Sequence, residues 1–167
     1  MDIDNIFSSL IKEMGYQNNK TVMINKVVMN SKEVEKNNLF IAIRGGNAYV
    51  NEALEKGAFV IYDDNTTNLN NNPNSFLVDD SVKFMQELAH EWRNVLNIKI
   101  IGITGSNGKT TVKDMVFQLL STKYNGKKTE GNYNNHIGLP FTLLRSEKND
   151  DFMVLEMGMS DFGEIEL

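Results

Sequence analysis

A run of residue types suited to holding phosphate groups lies in the second half of this chain of 167 residues. The run is Thr104, Gly105, Ser106, Asn107, Gly108, Lys109, Thr110 and Thr111. Glycines permit positive φ and let a ligand approach the backbone, so that main-chain N–H groups can surround phosphate oxygens. Lys109 would bring its positively charged ammonium to the β- and γ-phosphates, and the Thr110 hydroxyl would bind Mg²⁺. The segment therefore predicts a phosphate-binding loop for a nucleoside triphosphate.

The residues around this loop predict a strand before it and a helix after it. Residues 99–104 are mostly apolar, as in a strand covered on both faces, and residues 109–120 are expected to form a helix. A helix N-terminus adds to the attraction for phosphate. The run departs from the general pattern G-x-x-x-x-G-K-[ST], because Ile103 stands at the first glycine position. The alternative is a glycine-containing turn with an incidental lysine, and the full strand, loop and helix context favours the phosphate loop.

Glu156 is the second candidate for chemistry. It ends another apolar run, residues 152–155, and precedes Gly158 by two positions. The carboxyl ends of parallel strands converge on one crevice, where ligands bind. A carboxylate there can hold the Mg²⁺ that bridges nucleotide phosphates. The alternative is an ordinary strand-terminal glutamate in solvent.

The elements that would position these residues belong to an α/β fold. In the first part we expect short strands at residues 21–24, 27–29, 39–43, 58–62 and 76–78, and helices at 4–14, 50–56 and 81–96. The pattern predicts a small, mixed α/β N-terminal domain at residues 1–96. Apolar strands alternating with helices then predict a mainly parallel sheet in a phosphate-loop ATPase domain from residue 97. Residues 97–167 are fewer than the ~100 to 150 that such a domain needs, so we expect it to be truncated.

Composition narrows the function classes. The net charge of −5 argues against non-specific nucleic-acid binding, which needs clustered Lys and Arg. No run of ~18 apolar residues is present for a membrane span. The acidic N-terminus lacks the layout of a secretory signal, and cysteine is absent. These features predict a cytoplasmic protein without membrane insertion. Apolar edges left open by a truncated sheet would favour self-association.

Three blocks of the sequence resemble the ATP-dependent Mur ligases. The blocks are residues 103–111, residues 129–140 (Thr-Glu-Gly-Asn-Tyr-Asn-Asn-His-Ile-Gly-Leu-Pro) and residues 155–160 (Leu-Glu-Met-Gly-Met-Ser), with Gly163, Glu164 and Ile165 after them. Residues 30–45 resemble the family's UDP-binding N-terminal domain. The second and third blocks are most similar to members that add D-alanyl-D-alanine to UDP-N-acetylmuramoyl-tripeptide.

The resemblance implies an enzyme of peptidoglycan synthesis with ATP and Mg²⁺ as cofactors. ATP would phosphorylate the carboxylate of the UDP-muramoyl peptide, and the amine of D-alanyl-D-alanine would attack the acyl phosphate. Lys109 and Glu156 would be the catalytic residues, residues 105–111 would bind ATP, and Thr110 and Glu156 would bind the metal. The full-length family continues with the rest of the ATPase domain and a third domain, so this chain is expected to be inactive alone.

The resemblance also implies a set of substrate-binding residues. They are Ser31, Lys32, Arg44, Thr129, Asn132, Asn134 and Asn135. For the asparagines, turn formation is the competing explanation, because Asn tolerates left-handed backbone. His136 could equally be a packed or surface residue or a ligand contact. Asn30, Lys32 and residues 47–49 depart from the family pattern, which often has an acidic residue, an arginine and Asp-Gly-His there.

Two other functions stay open at this point. One is a Mur ligase that adds a diamino acid to the UDP-muramoyl dipeptide, for which we would expect a Thr-Thr-Pro-type sequence in place of residues 134–140. The other is a non-catalytic nucleotide- or UDP-sugar-binding module that remains from a larger enzyme.

Overall fold

The computed structural model describes residues 2–17, 21–67, 69 and 72–158, so the predicted family residues 159–165 lie outside the described part. The chain divides into two compact units, Met1–Leu88 and Ala89–Leu167. The dividing point lies inside a helix, Ser81–Val95, whereas the expected domain boundary at residue 96 lies just after that helix.

The first unit contains a four-stranded sheet in which all neighbouring strands are parallel. The strands, in spatial and chain order, are β1 (Val27–Val28), β2 (Leu39–Ile41), β3 (Phe59–Tyr62) and β4 (Ser75–Leu77). The helices are α1 (Ile3–Glu13), α2 (Val50–Glu55) and the first part of α3 (Ser81–Val95), with 3-10 turns at Ser31–Glu33 and Gly46–Tyr49.

Apolar residues on both faces of β2 and β3 form the core of this unit. Phe40 and Val60 pack in one cluster with Val50 and Ala53 of α2. On α1, the ring of Phe7 lies 6.4 Å from Phe59 and also contacts Phe76 and Phe84, centroid to centroid. Burial on both faces explains why these strands are continuous apolar runs rather than alternating ones.

The second unit contains a three-stranded parallel sheet of order β5-β7-β6. Its elements are β5 (Lys99–Ile103), α4 (Lys109–Ser121), β6 (Gly126–Lys128), α5 (Gly138–Leu144) and β7 (Phe152–Glu156). The central strand β7 is buried at every residue, as expected for a strand with a neighbour on each side. In its register with β5, Ile103 lies opposite Glu156. The topology therefore brings the end of β7 beside the segment that follows β5.

Two features of the structure differ from the expectations. Residues 21–24 form no strand; Val22 is buried, and the Ile24 N–H donates to the Asp4 carboxylate at 2.8 Å. Side-chain anchoring thus replaces ladder pairing in this segment. Strand β6 and helix α5 were not expected, since neither has a strong local pattern. The α/β class and the parallel sheet of the second unit are confirmed.

Part of the second unit's apolar surface is exposed. On α4, Val112, Met115 and Leu119 are open to solvent, with Leu119 72% exposed. Within the described ranges, β5 pairs on one side only. No helix of the described part has the length and apolar character that crossing a membrane requires.

Candidate functional site: a phosphate loop beside a buried carboxylate

The loop between β5 and α4 has the backbone conformation that its glycines were expected to provide. Gly105 has φ 143° and Gly108 has φ 76°. Gly108 is the N-cap of α4, and its carbonyl accepts the N–H of Val112 at 2.9 Å. The first N–H groups of α4 have no partner within the helix, as at any helix start, so they can donate to an anion.

Lys109 is the first residue of α4 and its side chain turns back over the loop. Its ammonium Nζ donates to the Gly105 carbonyl at 2.7 Å. The positive charge therefore lies at the mouth of the loop. A phosphate oxygen is a stronger acceptor than a carbonyl for a charged donor, so this ammonium is suited to binding an anion there.

Glu156 lies at the end of β7 and is only 4% exposed. Its Oε2 accepts the Thr110 hydroxyl at 2.8 Å, and its Oε1 accepts the Asn134 amide Nδ2 at 3.0 Å. The glutamate is therefore not an ordinary strand-terminal residue in solvent. The hydrogen bond from Thr110 turns the hydroxyl proton toward Glu156 and leaves the oxygen lone pairs available on the exposed side of Thr110.

Lys113 completes this cluster and was not singled out in the sequence. It is 3% exposed, and its ammonium donates to the Thr129 carbonyl at 3.0 Å. The same nitrogen lies 3.9 Å from Glu156 Oε2 and 3.5 Å from Asp114 Oδ1. A signal was available: Lys113 follows Lys109 by four positions, which places both lysines on one side of α4.

Asp114 carries a second ion pair next to the cluster. Its Oδ1 accepts Lys128 Nζ at 2.6 Å. That hydrogen bond holds the pKa of Asp114 below its ordinary value, and the charge of Lys113 lowers the pKa further. Asp114 is therefore ionised at neutral pH and balances part of the positive charge of Lys113 and Lys128.

The residues expected to contact substrate near this site have different surroundings. Thr129 is fully buried, and its hydroxyl accepts the Glu156 N–H at 2.9 Å. Asn135 Oδ1 accepts the N–H groups of Ile137 and Gly138 at the start of α5. Asn132 is exposed, whereas Asn134 is half-buried and contacts Glu156. Of the four, Asn132 and Asn134 present side chains that an incoming ligand could reach.

His136 is exposed in the turn before α5, so it is not a packed residue. That turn packs closely. A Cβ on Gly138 would lie 2.3 Å from the Tyr133 backbone, so only glycine fits there.

The expected substrate-binding residues of the first unit follow adjacent parallel strands. Ser31 and Lys32 lie in the 3-10 turn after β1, where Asn30 Oδ1 accepts the Lys32 N–H at 3.1 Å. Arg44 follows β2 with φ 48° and is exposed. Because β1 and β2 are parallel neighbours, both segments lie at the same edge of the sheet. This edge is where open α/β sheets bind ligands.

The donor set at the loop suits Mg²⁺ better than a transition metal. No group of three His, Cys, Asp or Glu side chains suited to metal binding occurs among the described residues. Mg²⁺ keeps several waters and is usually held by one or two carboxylates together with substrate phosphates. The Thr110 hydroxyl and Glu156 carboxylate, next to a phosphate loop, fit that requirement.

The fold and this geometry define the second unit as an α/β domain whose loop between β5 and α4 is suited to binding phosphate. Residues 103–167 match the Mur ligase middle domain. The chain belongs to the Mur ligase family.

Individual relatives extend the similarity over most of the chain. It is 44% identical over 150 residues to the UDP-N-acetylmuramoyl-tripeptide--D-alanyl-D-alanine ligase of Bacillus subtilis, covering 87% of this chain and 33% of the relative. Identity is 38% over 151 residues to the ligase of the same name from Synechocystis, with the same two coverages. The MurF ligase of Thermotoga maritima, solved in complex with ADP, has a TM-score of 0.74 at 37% identity, covering 87% of this chain and 35% of that one. The chain thus spans about a third of the length of these relatives.

Proposed function

We propose that this chain forms the nucleotide-binding loop and part of the substrate site of an ATP-dependent ligase of peptidoglycan precursor synthesis. The reaction joins D-alanyl-D-alanine to UDP-N-acetylmuramoyl-tripeptide. The observation that carries the proposal is the hydrogen bond from Thr110 to Glu156 beside the loop of Lys109. The substrates come from the names of the similar ligases of Bacillus subtilis and Synechocystis.

Residues 105–111 bind the ATP phosphates in this proposal. Lys109 leaves the Gly105 carbonyl and donates to the β- and γ-phosphates, while the N–H groups at the start of α4 donate to phosphate oxygens. The ADP in the Thermotoga maritima structure supports a nucleotide as the ligand. The loop is exposed at residues 104–108, which leaves it accessible to such a ligand.

Thr110 and Glu156 would hold Mg²⁺ next to the phosphates. When bound, the ion neutralises charge that develops on the transferring phosphoryl group. Glu156 accepts a hydrogen bond from the Thr110 hydroxyl, so that the lone pairs of the hydroxyl oxygen would face the ion. Asn134 donates a hydrogen bond to the other carboxylate oxygen and fixes it. The chain's own contribution is thus orientation of groups around the phosphates.

The proposed chemistry has two steps. The carboxylate at the end of the tripeptide takes the γ-phosphoryl group of ATP, which gives an acyl phosphate and ADP. The amine of D-alanyl-D-alanine then attacks the acyl carbon, an amide bond forms, and phosphate leaves with the electron pair of the broken C–O bond. Lys109 would stabilise charge in the first step, and Asn132 and Asn134 would contact the end of the tripeptide.

The two units would divide the substrate between them. Residues 1–96 would bind the UDP-muramoyl part through Ser31, Lys32 and Arg44. Residues 97–167 would begin the ATP-binding domain. Thr129 and Asn135 would act indirectly. Thr129 would hold Glu156 in place through the hydrogen bond to its N–H, and Asn135 would fix the start of α5.

The proposal extends to location and self-association. A cytoplasmic setting follows from the ATP that the reaction consumes. The exposed stripe of Val112, Met115 and Leu119 supports self-association of the isolated chain. Light scattering of the chain and of a Met115→Gln/Leu119→Gln variant checks whether this stripe mediates self-association. Equal molecular mass for both proteins at high concentration would contradict that role of the stripe.

A chimera tests the function. The matching N-terminal third of the Bacillus subtilis ligase is replaced by this chain, and ATP-dependent pentapeptide formation is measured with tripeptide and D-alanyl-D-alanine. We expect product, and loss of product in the chimera carrying Lys109→Ala. Turnover only with dipeptide and a diamino acid would favour the other ligase of the family. A folded chimera that binds nucleotide but makes neither product would favour the non-catalytic module.

A further inference from the structure

Besides Lys109, helix α4 carries a second lysine near the site, and this one does not face the loop. Lys113 is buried, and its side chain is 4% exposed against 6% for that of Glu156. Burying a charge is costly unless opposite charges and hydrogen bonds compensate it. Here the ammonium donates to the Thr129 carbonyl at 3.0 Å, and two carboxylate oxygens lie near its charge, Asp114 Oδ1 at 3.5 Å and Glu156 Oε2 at 3.9 Å.

The contacts of Lys113 connect it to both ends of the Glu156 residue. Thr129, whose carbonyl accepts from Lys113, also accepts the Glu156 N–H through its hydroxyl. At the side chain, Lys113 approaches Oε2, the same oxygen that accepts the Thr110 proton. Asn134 takes the other oxygen. Two hydrogen bonds therefore orient the carboxylate, and the charge of Lys113, 3.9 Å from Oε2, attracts it in the same orientation.

We propose that Lys113 is a positioning residue of the nucleotide site: it holds the Glu156 carboxylate toward Thr110, so that the pair can bind the divalent cation of the nucleotide. This inference rests on the proposed function. Lys113 contacts neither phosphate nor metal in this role. Its charge compensates Glu156 within the buried cluster, and its bond to Thr129 keeps the ammonium beside Oε2.

The test separates metal-dependent from metal-independent nucleotide binding by the 167-residue chain. ADP binding without metal is followed by NMR titration, and binding of Mn²⁺ with ADP by the electron paramagnetic resonance of free Mn²⁺. The main variant is Lys113→Gln, which keeps an amide donor for the Thr129 carbonyl and removes the charge. Lys113→Arg keeps the charge. Lys127→Gln is the control, because Lys127 pairs with Glu147 in the same unit at 2.8 Å and has no contact with Glu156.

We expect Lys113→Gln to weaken Mn²⁺ binding with ADP by about 10- to 100-fold, the usual effect of removing a group that orients a metal ligand. ADP binding without metal should stay within about threefold, and the Lys127→Gln control should match the parent chain. Lys113→Arg should recover most of the Mn²⁺ affinity. In a Glu156→Gln background, Lys113→Gln should have no further effect, because its target carboxylate is gone.

Other outcomes overturn the inference in distinguishable ways. If Glu156→Gln weakens Mn²⁺ binding and Lys113→Gln does not, Lys113 has no positioning role and the proposed metal site stands. Equal losses with and without metal, or in both backgrounds, make Lys113 purely structural. If Glu156→Gln has no effect, the metal site and this inference are both wrong. Should Lys113→Gln fail to fold, a folded Lys113→Arg chain without Mn²⁺ affinity refutes the role, and one with near-parent affinity supports it.

Discussion

The Thr110 hydroxyl and the Glu156 carboxylate, 46 positions apart in sequence, are joined by a hydrogen bond of 2.8 Å. One belongs to the first turn of α4 and the other ends β7, and the parallel pairing of β5 with β7 brings them together. The bond links the phosphate loop to the most buried strand of the second unit. Because Thr110 is exposed, its substitution should change nucleotide binding more than stability.

Replacing Lys109 by alanine should weaken ADP binding by about 10- to 100-fold, which corresponds to losing a hydrogen bond from a charged group. The fold should persist, because the ammonium donates to the Gly105 carbonyl at the exposed loop rather than to a buried group. NMR titration measures the affinity, and circular dichroism measures the melting temperature. Lys123→Ala, at the other end of the α4 region, serves as the control. Unchanged ADP affinity in the Lys109 variant would show that the loop assignment is wrong.

Thr110→Val should abolish the gain in ADP affinity that Mg²⁺ provides, with a loss of about tenfold or more. Valine has nearly the shape of threonine but cannot bind a cation or donate to Glu156. Thr110→Ser keeps the hydroxyl and should retain most of the gain. Calorimetric titrations with and without Mg²⁺ measure both, and an undiminished Mg²⁺ effect in the valine variant contradicts the assigned metal site.

Gly138→Ala should destabilise the second unit by about 3 kcal/mol or prevent folding, at the upper end of overpacking costs. The new Cβ would lie 2.3 Å from the Tyr133 backbone, which cannot move as a flexible side chain does. Gly131→Ala is the matched comparison: Gly131 has φ 53° and open space, so only the left-handed backbone penalty of about 1–2 kcal/mol applies. Urea unfolding ranks the two variants, and an equal cost for both would be evidence against the close packing at Gly138.

Asp114→Asn should reduce stability near neutral pH and have little effect in acid. The hydrogen bond from Lys128 keeps the folded-state pKa of Asp114 below the ordinary value of 3.8. The ionised group therefore stabilises the fold above pH 3.8, and this contribution disappears as the pH falls through the folded-state pKa. Unfolding free energies at about pH 7 and about pH 2 measure the difference. Glu91→Gln, a substitution at an exposed position of α3, is the control. A loss of stability in Asp114→Asn that is the same at both pH values would contradict an ionic origin.

The 167-residue chain alone should form no pentapeptide from ATP, UDP-muramoyl tripeptide and D-alanyl-D-alanine. It spans about a third of its relatives, and large substrates bind in clefts that several elements enclose. Phosphate release and product formation are assayed with the chain alone and with a supplied remainder of a relative. Product from the chain alone at ~1 to 10³ per second, the usual enzyme range, would refute this prediction.

The sequence predicted the elements whose signals are local. β2, β3, β5 and β7 are apolar runs, and the phosphate loop is a contiguous segment of special residue types. β6 is Gly126–Lys128, with no apolar residue, and its strand state depends on pairing with β7. In α5, Gly138 and Pro140 lower helix propensity, but proline is tolerated in a first turn and Asn135 caps it.

The contrast between local sequence signals and tertiary pairing also explains which parts of the candidate site were predictable. The meeting of Thr110 and Glu156 follows from the convergence of parallel strand ends. The partners of Lys113 and Thr129 depend on which of the three strands lies in the middle of the sheet. No local sequence pattern specifies the order β5-β7-β6. Asn135 shows a further limit: its residue type suits both a cap and a ligand contact, and only the tertiary structure shows that its oxygen is taken by backbone N–H groups.

Trp92 is the single tryptophan of the chain, and it lies in the part of α3 that belongs to the second unit. It is 6% exposed, and its indole N–H donates to the Ser146 carbonyl at 3.3 Å. Its fluorescence therefore reports on the second unit, whereas far-ultraviolet circular dichroism reports on the helices of both. Denaturation curves from the two signals would coincide if the units unfold together and separate if each unfolds by itself, so this protein carries a built-in optical probe of its own cooperativity.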